Sequence, residues 1–237
     1  MTAPYLLDNM HKNIFPDVEL ALTEPDGLLA VGGDLSVERL IAAYQQGIFP
    51  WYSEDQPILW WSPDPRMILE PQEIKISRSL AKKIRKQIFT VTMDNAFQKV
   101  IVECSKPRLE KGSIQNETWI LDEMIDAYIQ LHKSGYAHSV ECWQENKLVG
   151  GLYGVAIGQV FFGESMFSRV SDSSKVAFVA LSKQLQQWGF KLIDCQVYTS
   201  HLENLGAKMI SRKKFINLLK QYTPLSPSNN NWQIENE

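Results

Sequence analysis

The sequence lacks an apolar run approaching the roughly 18 residues that would cross a bilayer, so no membrane-crossing helix is expected. MTAPYLLDNMHKN has no basic start followed by an apolar core, and a secretion signal is not expected. Cysteine is scarce: Cys104, Cys142 and Cys195 are widely spaced, with no C-x-x-C, as for idle thiols in a reducing cytoplasm. His11, His132, His138 and His201 show no metal-ligand spacing, and no metal is expected. There is no G-x-x-x-x-G-K-[ST] loop for ATP, and no cofactor is expected. Nor is there a cationic excess: 24 Lys and Arg stand against 27 Asp and Glu, a formal charge of −3. A nucleic-acid binder with this balance must concentrate its cations locally. Repeats are absent, and the expectation is a cytoplasmic, monomeric protein.

What remains is an ordinary globular composition, 44% hydrophobic and 22% charged, in a chain of 237 residues that can bury one large core or two modest ones. Two stretches stand out. In GIFPWYSEDQPILWWSPDPR (Gly47 to Arg66), Phe49, Trp51, Tyr52, Trp60 and Trp61 sit among prolines, on backbone that follows neither the helix nor the strand period. Such rings can plug a domain junction, or form rigid surfaces for flat or apolar ligands. GESMFSR (Gly163 to Arg169) ends a strand-like run with a carboxylate, two hydroxyls, a Met, a Phe and an Arg.

A first, smaller α/β unit is expected over residues 1–63, with Ser36 capping a helix from Val37 to Gln46 and Gly47 stopping it. The second unit, 64–237, starts with a strand at Phe89 to Met93 and a helix capped by Asp94 that carries Phe97, Val100, Ile101 and Cys104 on one face. A longer helix bearing Leu121, Met124, Ile125, Tyr128 and Leu131 ends at Gly135. Three strands follow, Ala137 to Gln144, Lys147 to Ala156 and Gln159 to Ser165, with turns at Glu145-Asn146 and Ile157-Gly158, as an antiparallel meander. Then come a helix from Ser174 to Trp188, the strand KLIDCQVYT and helical stretches around Leu202 and Phe215. From about Pro224 the Pro/Ser/Asn-rich tail is expected to be loose. The fold class is α+β with a largely antiparallel central sheet, in the element order of the N-acetyltransferase superfamily.

GGDLS, GIFPWYS, LWWSPDPR, NETWI, VGGLYGV, GESMFSR and LIDCQV occur in that order between about Phe15 and Gln221. Together they resemble the leucyl/phenylalanyl-tRNA–protein transferases. The resemblance implies an N-acetyltransferase-like larger domain. It also implies an aminoacyltransferase that moves Leu or Phe, with Met as a further substrate, from aminoacyl-tRNA to an N-terminal Arg or Lys. The protein so marked would enter N-end-rule degradation.

That reaction makes modest chemical demands. The ester on the tRNA 3′ end is already activated, and the nucleophile is an α-amine with an ordinary pKa near 7.7–8.0. Holding amine and ester in attack geometry and stabilising the oxyanion supply most of the acceleration. Regular alternation of LIDCQV puts Asp194 and Gln196 on one strand face and Ile193 and Cys195 on the other. Gln196 can accept an N–H bond and aim the amine lone pair; Asp194 can hold and polarise Gln196, take the proton, or pair with the acceptor's cation, with orientation the assigned role. Glu164 can bond the amine or the acceptor's cationic side chain, or pair with Arg169.

The resemblance adds Trp51, Trp119 and Tyr128 as contacts to the terminal adenosine, although Tyr128 sits on a helix stripe of the kind that usually enters a core. Phe161, Met166, Phe178, Leu181 and Ile193 are candidates for the apolar slot. The family pattern carries a Phe near Leu181, so amino-acid preference can differ here. Lys82, Lys83, Arg85 and Lys86 in SRSLAKKIRKQ are the candidate tRNA-backbone cations; such a run is otherwise the solvated face of a helix.

Two other readings share parts of this pattern. An acyl-CoA N-acetyltransferase would want a Gly-rich pyrophosphate loop where FSRVSDSSKV has no glycine. A non-catalytic tRNA-end binder would need the tryptophans and the basic helix but not Asp194, Gln196 and Glu164. The hydrolase elbow G-x-S-x-G fails because Phe167 replaces its second glycine.

Overall fold

The computed structural model describes residues 3–110, 113–115, 120–229 and 231–233. The first sheet is built from β1 (Tyr5–Leu7), β2 (Leu28–Gly32), β3 (Phe49–Pro50) and β4 (Leu59–Trp61), in the order β1-β2-β4-β3, with helix α1 (Val37–Gln45) between β2 and β3. Helix α1 stops where Gly47 takes a φ of +76°; a Cβ there would also stand 2.7 Å from Ile216.

The chain then runs through β5 (Arg66–Leu69), α2 (Arg78–Arg85), β6 (Thr90–Met93), α3 (Phe97–Ser105) and the paired β7 (Arg108–Glu110) and β8 (Ser113–Gln115). Next are α4 (Asp122–Lys133), β9 (Ala137–Gln144), β10 (Lys147–Ile157), β11 (Val160–Ser168), α5 (Ser173–Gln187) and β12 (Leu192–Gln196). The chain closes with α6 (Ser200–Asn204), β13 (Lys208–Ile210) and α7 (Arg212–Tyr222). The second sheet has seven strands in the order β13-β5-β12-β11-β10-β9-β6. Its neighbours are antiparallel except β11 and β12, which run parallel.

The meander forms as its turn residues direct. Glu145 and Asn146 both take positive φ, the geometry of a type I′ hairpin. The second turn is shifted by one residue, to Gly158-Gln159, because β10 runs on through Ile157. Asp94 does not cap α3. Its carboxylate instead accepts the backbone N–H of Ser139 at 2.8 Å and faces His138 Nδ1 at 2.7 Å.

Both sheets share an apolar cluster in which Tyr44 of α1, Ile48 and Trp60 of β4 join Phe97 of α3, Tyr128 of α4 and Phe162 of β11. Within the tail, Trp232 is anchored. The Trp232 ring is buried, stacks on His138 at 3.8 Å and meets Trp188 edge-on at 5.1 Å. Nearby, the Ser228 N–H donates to Trp188 O at 2.8 Å.

Candidate active site

The site begins where a β-ladder ends. Strands β11 and β12 pair over three residues, Val160↔Leu192, Phe161↔Ile193 and Phe162↔Asp194. Beyond Phe162, β11 continues to Ser168, while β12 stops at Gln196, whose φ is +61°. The strands separate, and the gap is a cleft of about 750 Å³.

Two bulges set its side chains. Opposite β10 the register passes from Tyr153↔Ser165 to Gly154↔Gly163, which leaves Glu164 as the extra residue. Opposite β5 it passes from Asp194↔Ile68 to Gln196↔Met67, which leaves Cys195. Bulges re-aim side chains beside sites in this way. Position 154 must be glycine, since a Cβ there would lie 2.2 Å from the Phe162 carbonyl oxygen. The alternation expected for LIDCQV therefore holds only to Asp194. Ile193, Asp194, Cys195 and Gln196 all border the cleft.

A chain of buried polar groups crosses its floor. Arg66 clamps Asp194 with both arms, Nε to Oδ1 at 2.8 Å and Nη2 to Oδ2 at 2.6 Å. The guanidinium lies 4.7 Å from the rings of both Phe49 and Phe215. Asp194 Oδ1 also accepts the Gln196 backbone N–H at 2.9 Å. Gln196 Nε2 donates to Glu164 Oε1 at 2.8 Å, and Tyr128 Oη donates to Glu164 Oε2 at 2.9 Å. Behind Tyr128 stands Tyr44, hydroxyl to hydroxyl. Burial pushes the Glu164 carboxyl up to about 7; the hydroxyls of Tyr44 and Tyr128 and the Arg66 charge offset part of that rise, and the Asp194 charge adds to it. Burial likewise lifts the Cys195 thiol far above its ordinary range, which unsuits it as a nucleophile.

The expected residues distribute as follows. Phe161, Met166, Phe178, Leu181 and Ile193 all wall the cleft, an apolar slot beside the polar floor. Trp51 is at the rim, 44% exposed and tilted over Trp61 at 5.8 Å, free to offer a face. Trp119 lies outside the described residues. Tyr128 does not contact a ligand surface: it is wholly buried, its stripe position carries it into the core, and its hydroxyl supports Glu164 instead. Asp194 holds Gln196 through the backbone rather than the side chain, and both its oxygens are occupied. Arg169 pairs with Glu103 at 2.8 Å rather than with Glu164. On α2, Lys82, Arg85 and Lys86 are exposed, whereas Lys83 pairs with Asp172 at 2.6 Å. Arg66 was not among the expected residues; the signal for it was the demand of a buried carboxylate for a counter-charge.

The sequence matches the family model "Leucyl/phenylalanyl-tRNA protein transferase" over residues 68–220 and that of the family's N-terminal domain over residues 33–64. It is 56% identical over 232 residues to a leucyl/phenylalanyl-tRNA–protein transferase of Hydrogenovibrio crunogenus, covering 98% of this chain and 89% of that one. The same-named protein of Nitrosospira multiformis is 53% identical, with 95% of each chain covered. Among solved structures, L-PGS from Bacillus licheniformis aligns at a TM-score of 0.41 and 11% identity, over 74% of this chain and 57% of that one. A GCN5-related N-acetyltransferase from Kribbella flavida aligns at 0.37 and 12%, over 72% and 60%. Likenesses at that level add nothing to the architecture, which rests on the strand order.

Proposed function

The chain belongs to the leucyl/phenylalanyl-tRNA–protein transferase family, and from that premise we propose how its cleft joins Leu or Phe, carried on tRNA, to a protein that begins with Arg or Lys. The observation that carries the proposal is the Gln196–Glu164 bond beside the apolar slot. With Nε2 committed to Glu164, the free lone pairs of Gln196 Oε1 are what an incoming amine meets. They accept one N–H and leave the nitrogen lone pair aimed away from the amide. The walls Phe161, Phe178, Leu181 and Ile193 take the Leu or Phe side chain, with Met166 at the more open edge. They present no polar group, so selection is by volume and apolar contact.

Trp51 stacks the terminal adenine, as aromatic side chains do for unpaired RNA ends, with Trp119 as the second ring. Lys82, Arg85 and Lys86 carry the tRNA backbone. The Lys83–Asp172 pair fastens α2 to the first residue before α5, close to the cleft-lining Ser174. The first unit, residues 1–63, contributes Trp51 and Tyr44, and the second, 64–237, the rest.

The test is transfer itself. A mixture of radiolabelled aminoacyl-tRNAs is incubated with peptides that differ only in their first residue, without ATP, metal or CoA. Label is expected to pass from Leu- and Phe-tRNA to peptides beginning with Arg or Lys. Acetylation of the same peptides from acetyl-CoA, with no transfer from tRNA, would sink the reading.

A further inference from the structure

Glu164 ends a chain of hydroxyls that has no packing purpose. Tyr44 on α1 and Tyr128 on α4 are both wholly buried in the apolar cluster, where phenylalanine would fill nearly the same space. Their two hydroxyls hold two protons. One is spent between the phenols, and the other is donated to Glu164 Oε2 at 2.9 Å. A buried phenol left without an acceptor is costly, so the pair is consistent only with an acceptor at its end. Glu164 is that acceptor, and its other oxygen is held by Gln196 at 2.8 Å.

The charged and titratable groups that act on Glu164 are Arg66 on β5, Asp194 on β12 and the two phenols, with Tyr153 on β10 beside the phenols. Of the two carboxylates on the floor, Asp194 is bound by both arms of the Arg66 guanidinium, whereas Glu164 accepts from the neutral amide of Gln196 and the phenol of Tyr128. The Gln196 amide has almost no basicity. Glu164 alone combines an acidity poised near neutrality with direct contact to the amine-orienting amide.

We propose that Glu164 takes the proton of the attacking amine, and that Tyr44 and Tyr128 are positioning residues that hold its carboxylate in the accepting form. The proposal rests on the transferase reading. The lone pair of the neutral α-amine forms the C–N bond at the ester carbonyl. One N–H proton of the resulting cationic nitrogen passes to Glu164. As the C–O bond to the ribose breaks, Glu164 returns that proton to the ribose oxygen. The products are an amide, a free RNA hydroxyl and the ionised carboxylate with which the cycle began.

Parent, Tyr128→Phe, Tyr44→Phe and Glu164→Gln enzymes are compared by saturated turnover from pH 5.5 to 9.5. One acceptor peptide is used, so its amine titrates identically throughout. Loss of the Tyr128 hydroxyl removes a bond to the charged form, and the acid limb moves to higher pH by about one unit, tenfold in ionised fraction at a given pH. Tyr44→Phe moves it the same way. Glu164→Gln loses the carboxylate's share of that limb and keeps only the amine's, with turnover down at least roughly a hundredfold. A limb that stays in place in Tyr128→Phe, or keeps the parent's steepness in Glu164→Gln, overturns the proposal. If Tyr128→Phe unfolds, the carboxyl infrared band of Glu164 in Tyr44→Phe decides: a midpoint above the parent's supports the relay, and an unchanged one overturns it. Absence of transfer by the parent at every pH overturns both this proposal and the transferase reading, whereas transfer with an immobile limb overturns this one alone.

Discussion

Replacing Arg66 by Met probes the clamp on which the whole floor depends. Arg66 and Asp194 are 1% and 0% exposed and are joined by two charge-assisted bonds of 2.8 and 2.6 Å. Met keeps an apolar stem between Phe49 and Phe215 but leaves the Asp194 carboxylate buried without its counter-charge. Removing one partner of a buried ion pair costs about 3–5 kcal/mol. At about 2–4 °C per kcal/mol for a chain of this size, the melting temperature should fall by about 6–20 °C.

The second effect is chemical. Asp194 also holds the Gln196 N–H, and Gln196 sits at a φ of +61°, a strained conformation for a side-chain-bearing residue. With Asp194 released, Gln196 no longer presents its amide against Glu164, and turnover should drop by about a hundred- to a thousandfold. Urea unfolding and single-turnover transfer at saturating aminoacyl-tRNA read the two effects separately. The double variant Arg66→Met/Asp194→Leu removes both charges and should regain most of the stability without regaining turnover. A single variant that unfolds within about 1 kcal/mol of the parent would refute the energetic argument. Recovery of turnover in the double variant would refute the chemical one.

Three further outcomes are expected. Substituting Lys82, Arg85 and Lys86 together by Ala should lower the slope of log affinity against log salt by about one unit for each tRNA phosphate no longer neutralised; an unaltered slope returns them to a merely solvated face. Trp51→Ala should weaken aminoacyl-tRNA binding by about 1–3 kcal/mol while leaving the melting temperature unmoved, since the ring is nearly half exposed. Glu164 binds its proton more tightly folded than unfolded, with a pKa of about 7 against an ordinary 4.5, so the parent loses stability as pH rises through that window. The unfolding free energy of Glu164→Gln, compared with the parent's in urea, should therefore improve by about 3 kcal/mol between pH 4.5 and 8, and a flat difference would contradict the burial argument.

Periodicity makes much of this fold readable and most of its chemistry unreadable. The stripes Phe97/Val100/Ile101/Cys104 and Met124/Tyr128/Leu131 face the core as their spacing requires, and the meander closes at Glu145-Asn146. Strands β5 and β13 give no such signal because three or four residues carry no alternation, and RMIL is buried at every position. Arg66 is hidden for the same reason, and its partner is 128 residues away. The bulges at Glu164 and Cys195 depend on what lies opposite them, which the local sequence does not contain. Trp232 is the clue that compositional bias obscures in the tail, since an indole amid polar residues needs a place to be buried.

The placement of the site follows from where the sheet fails. Parallel pairing of β11 and β12 stops after Phe162↔Asp194, so from Glu164 onward β11 has no ladder partner on that side. A charge buried in a continuous ladder would have to be reached through packed strands. At the divergence it is buried from below by Tyr44 and Tyr128 and borders the cleft above. The bulges then turn the side chains of adjoining strands toward one another, which regular alternation would not do. Glu164 carries the cost of that arrangement, being less stable ionised than in water. Removing that cost by substitution is expected to stabilise the fold and disable the cleft, which is the exchange anticipated where a buried group serves chemistry rather than packing.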